Sequence, residues 1–190
     1  MKDNIDLTLR GFFNTFLKDN ENLLKENKLN EIYERLRDFN TIYIPELTLY
    51  LMNLDVNPLL YLKSIPSFCF YRFNIPSLII PSNIKYINNQ AFKNIKSDNI
   101  TISSGVKIID NYVFNNSNIS SIYIPKSIAY IGYDIFDNAH IGEIKYEGSE
   151  QDWLNLISLS SGIEIKSVKD SLLWLKLNES FKNNIIFLNK

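Results

Sequence analysis

The sequence has very little of the chemistry that most catalytic or metal sites need. Among 190 residues it holds one cysteine, Cys69, and one histidine, His140. A single thiol cannot close an internal disulfide, which suits a reducing compartment or indifference to redox. One Cys and one His cannot make a Cys/His metal site, so no metal and no cofactor is expected. An excess of charge is missing too: 20 basic and 21 acidic residues leave a net charge of -1. That balance gives neither the basic field that drives nucleic-acid binding nor the acidity of a nucleic-acid mimic. No run approaches the roughly 18 apolar residues of a membrane span. The opening residues mix acids into a segment without an apolar run, so no signal peptide is expected and a cytoplasmic location is.

What is abundant is isoleucine, with 28 residues, and asparagine, with 25. Isoleucine favours strands. Asparagine tolerates left-handed turn positions and bonds its own backbone. A chain rich in both suits many short strands, each followed by a tight turn. The length fits one domain, or one small domain with a helical extension, and is enough to bury a core without disulfides or metal.

The middle of the chain repeats with a step of 22 residues. Phe92, Phe114 and Phe136 keep that step. So do the columns Ile80, Ile102, Ile124, Tyr146; Leu78, Ile100, Ile122, Ile144; Ile87, Ile109, Ile131, Trp153; and Ile84, Val106, Ile128. Leu78-Ile79-Ile80 alternates in, out, in, and Pro81, which cannot donate to a ladder, stops the strand. Ile84 and Ile87 then turn inward, and Ala91-Phe92 closes the coil with a small and a large core residue. Asn94, Asn116 and Asn138 stand where the chain turns into the next coil. One such unit cannot bury both faces, so neighbours must stack into a solenoid with a parallel ladder.

These columns resemble the BspA-type leucine-rich repeat, over about Ile75 to Ile157. Three units carry the pattern, Leu78 to Phe92, Ile100 to Phe114 and Ile122 to Phe136. The segment from Ile144 to Trp153 is similar to the unit that commonly ends such arrays. Two departures stand out. The glycine after the second inward isoleucine is present only at Gly132, with Asn88 and Asp110 in its place elsewhere. The cysteine frequent after the phenylalanine is replaced by Ile95, Ser117 and Ala139. The resemblance implies an α+β solenoid, a leucine-rich-repeat array of 22-residue units between a helical N-terminal cap and a mixed C-terminal cap.

The flanks read as caps. Residues 5–39 read as helix, with Ile5, Leu9, Phe12, Phe13 and Phe16 on one face and a second run of Leu23, Leu24, Leu29, Ile32, Tyr33 and Leu36. Glu31 with Arg35 is a favourable i,i+4 pair and Glu34 with Asp38 an unfavourable one. Thr41 to Pro45 reads as a strand. Leu47 to Met52 and Leu59 to Leu62 read as short helices, the second opened by Asn57-Pro58. This order resembles the front end of short phage-encoded repeat proteins. Beyond Trp153 a helix to Leu159, a strand at Ile163–Ile165, a helix over Val168–Leu177 and a strand from Ile185 to Leu188 are expected. The division is 1–66 N-terminal cap, 67–157 array and 158–190 C-terminal cap.

No enzyme motif emerges. Cys69 lies in Ser67-Phe68-Cys69-Phe70, the setting of an inert core thiol. His140 is placed in a turn between units, distant from Cys69 in the pattern. Ser103-Ser104-Gly105 lacks the lysine and second glycine of a phosphate loop. Asp110, Asp134, Asp137, Glu143, Glu147, Glu150 and Asp152 fall on turns and solvent positions.

The repeat does define a surface. The residue between two core positions of each strand points outward, giving Ile79, Thr101, Tyr123 and Lys145. A second outward column is Tyr86, Ile108 and Tyr130. Contiguous exposed tyrosine and isoleucine mark a binding site unless the terminal segments cover them. The expected partner-binding residues are therefore Ile79, Tyr86, Ile108, Tyr123, Tyr130 and Lys145, with no catalytic or metal-binding residue. The expected function is a non-enzymatic protein-interaction module, with no membrane or nucleic-acid partner. The phage-like front end implies a host protein as partner, and inhibition of a bacterial defence system, as by an anti-CRISPR, as the role. The alternative is a structural or surface-adhesion protein.

Overall fold

The computed structural model describes residues 7–26, 28–40, 44–54 and 57–189. The chain runs α1 (Leu7–Asp19), α2 (Glu21–Lys25), α3 (Leu29–Asn40), α4 (Ile44–Asn53), β1 (Ser64–Ile65), β2 (Ser77–Ile80), β3 (Tyr86–Ile87), β4 (Lys96–Ile102), β5 (Ile108–Ile109), β6 (Asn118–Ile124), β7 (Tyr130–Ile131), β8 (His140–Tyr146), α5 (Glu150–Ser161), α6 (Val168–Leu175) and β9 (Ile185–Phe187).

The strands form two parallel sheets. A five-stranded sheet has the order β2-β4-β6-β8-β9 and a four-stranded sheet of short strands the order β1-β3-β5-β7. The register follows the sequence step: Ile80 lies beside Ile102, Ile100 beside Ile122 and Ile109 beside Ile131. Ile80, Ile84, Ile87, Ala91 and Phe92 are completely buried, as are Ile102, Val106, Ile109, Val113 and Phe114. Each inward column is therefore a continuous apolar ladder through the stack.

The third side of every coil is a tight corner. Asn94, Asn116 and Asn138 adopt φ of 60°, 57° and 54°, the left-handed turn expected of them. Gln90, Tyr112 and Asp134 form a second left-handed column four residues earlier. Between the two, backbone bonds link successive coils, as from Phe92 N–H to Val113 O (3.0 Å) and Phe114 N–H to Ile135 O (2.9 Å). Asn88, Asp110 and Gly132 donate the same bond to Ile65, Ile87 and Ile109 in turn, so the coil keeps its course without glycine in the first two positions. The array also reaches one coil further back than the units read from sequence. Leu62, Ile65, Cys69 and Phe70 are completely or almost completely buried and precede Ile84, Ile87, Ala91 and Phe92 by one step of 22.

The N-terminal helices close the front of the stack. Tyr33 of α3 and Thr48 of α4 share a buried hydrogen bond of 2.7 Å, and the Thr48 hydroxyl lies 3.2 Å from the Cys69 thiol. Asn30 donates to Ser64 O (3.0 Å) and accepts from Lys63 N–H (2.6 Å), which ends the short-strand sheet at β1. Over the described residues 7–26 and 28–39 the helical reading holds with two breaks, after Asp19 and after Lys25. Ile5 lies outside the described residues, as does the side chain of Leu9. Arg35 does not pair with Glu31: its guanidinium donates to Asn20 Oδ1 (2.7 Å), tying α3 to the first break. Arg37 sits between Glu34 (2.5 Å) and Asp38 (3.8 Å) and offsets their repulsion. The strand expected at Thr41–Pro45 is corrected where it can be seen. Ile44 and Pro45 open α4, where proline in the first turn lacks only a donor that would go unused; Thr41 to Tyr43 lie outside the described residues.

The C-terminal segment closes the other end on all three sides. β9 pairs in parallel with β8 and extends the five-stranded sheet. Ser160 of α5 accepts from Ile131 N–H (3.0 Å), and the Trp174 indole donates to Ile131 O (3.1 Å), ending the short-strand sheet. The last carbonyls of α6, on Trp174 and Leu175, accept from Asp134 N–H (2.8 Å) and Phe136 N–H (3.1 Å). The last turn of a helix, closed by Lys176 at φ 63°, thus stands in for the missing next corner. Residues 163–165 are not a strand: Ile165 N–H binds the Ser158 hydroxyl (2.8 Å) in an irregular link between α5 and α6.

Candidate functional site

The outward residues form two ladders on different sheets. On the five-stranded sheet Ile79, Thr101, Tyr123 and Lys145 lie in successive register, and Ile186 of β9 continues the line. On the short-strand sheet Tyr86, Ile108 and Tyr130 lie in register. The fold therefore brings Ile79, Tyr123 and Lys145 together, and Tyr86, Ile108 and Tyr130 together, but does not merge the six into one stripe. Ile79 is 65% and Tyr86 49% exposed, whereas Ile108, Tyr123 and Tyr130 are half-buried.

Polar groups flank the first ladder. Lys145 pairs with Glu143 at 2.6 Å, and the Ser121 hydroxyl donates to the same carboxylate at 2.8 Å. Those two bonds, the lysine's first, hold the Glu143 carboxyl below the usual range. Asn99, Ile100, Thr101, Ser121, Tyr123 and Lys145 line a shallow cavity of about 280 Å³. Partial desolvation, and then the Glu147 carboxylate, push the Tyr123 phenol up, so it stays a neutral hydrogen-bonding group at physiological pH.

A basic column stands beside the second ladder. Lys63, Lys85 and Lys107 are exposed and one repeat step apart, with the backbone N–H of each later lysine bonded to the carbonyl of the one before. The 22-residue step could have found both this column and its end at Ala129. Ile186 carried no such signal, because two helices separate β8 from β9 and break the step.

Of the residues weighed for catalysis, Glu143 and Glu147 flank the first ladder and Cys69 is buried in the core. Burial pushes the Cys69 thiol up to about 12, against weaker help to its thiolate from Thr48 and Tyr33, so it is no nucleophile at neutral pH. His140 is not in a turn but is the exposed first residue of β8. Among the described residues no group of three or more His, Cys, Asp or Glu is placed to hold a metal ion. Several of the acidic residues serve the backbone: Glu147 accepts from Lys126 N–H, Asp110 accepts from Asn111 N–H, and Asp152 caps α5.

Residues 54–161 match the BspA-type leucine-rich repeat region, in six copies. The chain belongs to the BspA-type leucine-rich repeat family. The match begins ahead of the first unit read from sequence, in keeping with the extra coil at Leu62–Phe70. No curated protein and no solved structure matches the chain. Leucine-rich repeats of this family point to a protein-interaction or adhesion module, and solenoids of this kind are typically binding scaffolds rather than enzymes. No helix among the described residues is long and apolar enough to cross a membrane.

Proposed function

We propose that this BspA-type repeat protein is a non-enzymatic interaction module that binds a partner protein through its outward ladders. The observation that carries the reading is the pair of in-register columns, Ile79-Thr101-Tyr123-Lys145 and Tyr86-Ile108-Tyr130, on a rigid stack closed at both ends. Contiguous tyrosine and isoleucine on such a scaffold lose little side-chain entropy on docking, which favours tyrosine as an anchor. The working division is a 1–66 helical cap, a 67–157 array and a 158–190 cap. The front-end order of Ile44-Pro45, short helix, Asn57-Pro58-Leu59 and Ile65-Pro66 supports a finer role. In it the partner is a cytoplasmic host protein, and the chain inhibits a bacterial defence system. Adhesion at a cell surface is the competing role.

The test is partner capture with immobilised protein, followed by identification of the partner and titration with Tyr123→Ala, Tyr86→Ala and Tyr130→Ala. An anchoring tyrosine contributes about 2 kcal/mol, roughly thirtyfold in Kd. At least one variant should lose that much affinity while unfolding at the same denaturant concentration as the parent. Undiminished binding by all three would overturn the reading. A defence component as the captured partner would favour inhibition, and a surface glycoprotein or matrix protein would favour adhesion.

A further inference from the structure

The short-strand face carries two ladders side by side, and their chemistries differ. One is the apolar Tyr86, Ile108, Tyr130 column. The other is Lys63, Lys85, Lys107, three ammonium groups on adjacent coils. None of the three lies within ion-pair distance of a carboxylate among the described residues. Lys85 reaches only the Ser82 carbonyl (3.0 Å), and Lys107 only the carbonyls of Ser104 and Ser127 (3.3 Å each). Like charges directly opposite in a sheet are mutually destabilising. The fold nonetheless stacks three of them, in a protein that holds 21 acidic residues for 20 basic ones. The column stops where the face stops. Asn30 closes the sheet at Lys63, and Ala129 takes the fourth position, in the coil that Ser160 caps.

The spacing selects among acidic partners. Neighbouring coils lie about 4.8 Å apart along the sheet, and the rings of Phe70, Phe92, Phe114 and Phe136 follow one another at 5.1, 5.5 and 5.7 Å. A helix laid along the stack advances about 5.4 Å per turn, so carboxylates at i, i+4 and i+7 keep pace with three coils. Alternate residues of an extended strand are about 6.7 Å apart and fall out of step by the third lysine. A helix also carries an apolar stripe next to its acidic one, as the Tyr86-Ile108-Tyr130 ladder requires. Nucleic acid is disfavoured because three lysines on a chain of net charge -1 make no extended basic field.

We infer that the short-strand face seats an amphipathic helix of a partner protein, its acidic stripe on Lys63, Lys85 and Lys107 and its apolar stripe on Tyr86, Ile108 and Tyr130. This rests on the interaction-module reading and names the chemistry of the partner at one of its two ladders. The probe is a synthetic helix of about four turns, with Glu at i, i+4, i+7 and i+11 and Leu on the adjoining stripe. Binding is followed by fluorescence anisotropy on the full chain. The peptide should bind, weaken as salt rises from about 50 to about 500 mM, and lose roughly tenfold or more in affinity to Lys63→Glu/Lys85→Glu/Lys107→Glu. Tyr86→Ala should weaken it and Leu188→Ala, an exposed apolar position outside both ladders, should not. A Glu→Gln peptide that binds as well, equal binding by the lysine variant, or no binding would overturn the inference. So would tighter lysine-dependent binding of a single-stranded oligonucleotide or an anionic vesicle. A failed peptide beside a captured partner that still depends on Tyr123 overturns only this inference. Failure of every tyrosine variant to affect capture removes the module reading itself.

Discussion

Phe114 sits at the centre of a pile of rings. Its neighbours Phe92 and Phe136 stack on it at 5.5 and 5.7 Å with planes 13° and 17° apart, and the ring is wholly excluded from water. Removing it empties the corner of the middle coil and deprives both neighbours of contact. Phe114→Ala should cost about 3–5 kcal/mol in urea unfolding; a loss under about 1 kcal/mol would mean that the stack is not the core it is taken to be. At this scale the sequence is highly legible. A ladder repeats its residue types at one step, so the isoleucine, phenylalanine and asparagine columns announce themselves. Positions outside the step do not. The Tyr33–Thr48–Cys69 contact that fastens the cap to the first coil joins residues with no shared pattern, and nothing in one sequence relates them.

The elements between the ladders depend on local caps. α5 begins at Ser149, whose hydroxyl accepts from Asp152 N–H (3.2 Å), while Asp152 Oδ2 accepts from Ser149 N–H (2.9 Å) and pairs with Lys126 (3.0 Å). The Ser149 backbone bond foremost, then Lys126 and the Ser149 hydroxyl, lower the Asp152 carboxyl from its ordinary 3.8 to about 2. A carboxyl depressed in the folded state binds fewer protons there than in the unfolded chain. Its contribution is therefore present above pH 3.8 and lost as pH falls through about 2. Urea midpoints of the parent should decline over that window, and Asp152→Asn should flatten the decline while lowering the midpoint at neutral pH. An unaltered slope would contradict the assignment. The strand expected at Ile163–Ile165 failed for a related reason. Alternating isoleucines fit a strand, but Gly162 at φ 71° caps α5 and the Ser158 hydroxyl takes the Ile165 amide. Similarly, the isoleucine and proline of Ile44-Pro45 suit a strand end and a helix start equally, and packing of Ile44, Leu47 and Leu51 into the cap decides for helix.

Across the whole molecule, both ends of a stack that would otherwise continue are sealed by dissimilar means. Helices with Asn30 and the Thr48–Cys69 contact close one end; β9, Ser160, Trp174 and the last turn of α6 close the other. The solenoid was legible because its repeat is, and the sealing was legible only as a need, since the bonds that do it bridge residues 29 and 43 positions apart. Sheet membership had the same limit: the outward columns were readable, but their separation onto two sheets follows from the bend between Ile80 and Tyr86. With its ends closed, the protein offers partners the sides of the coils. The most direct test is hydrogen exchange measured with and without the captured partner. Slowed exchange should be confined to the strands of one sheet and the loops beside them, around Ile79–Ile186 or around Tyr86–Tyr130, with the cap helices unchanged. Slowing confined to α1–α4 or to α5 and α6 would contradict the account.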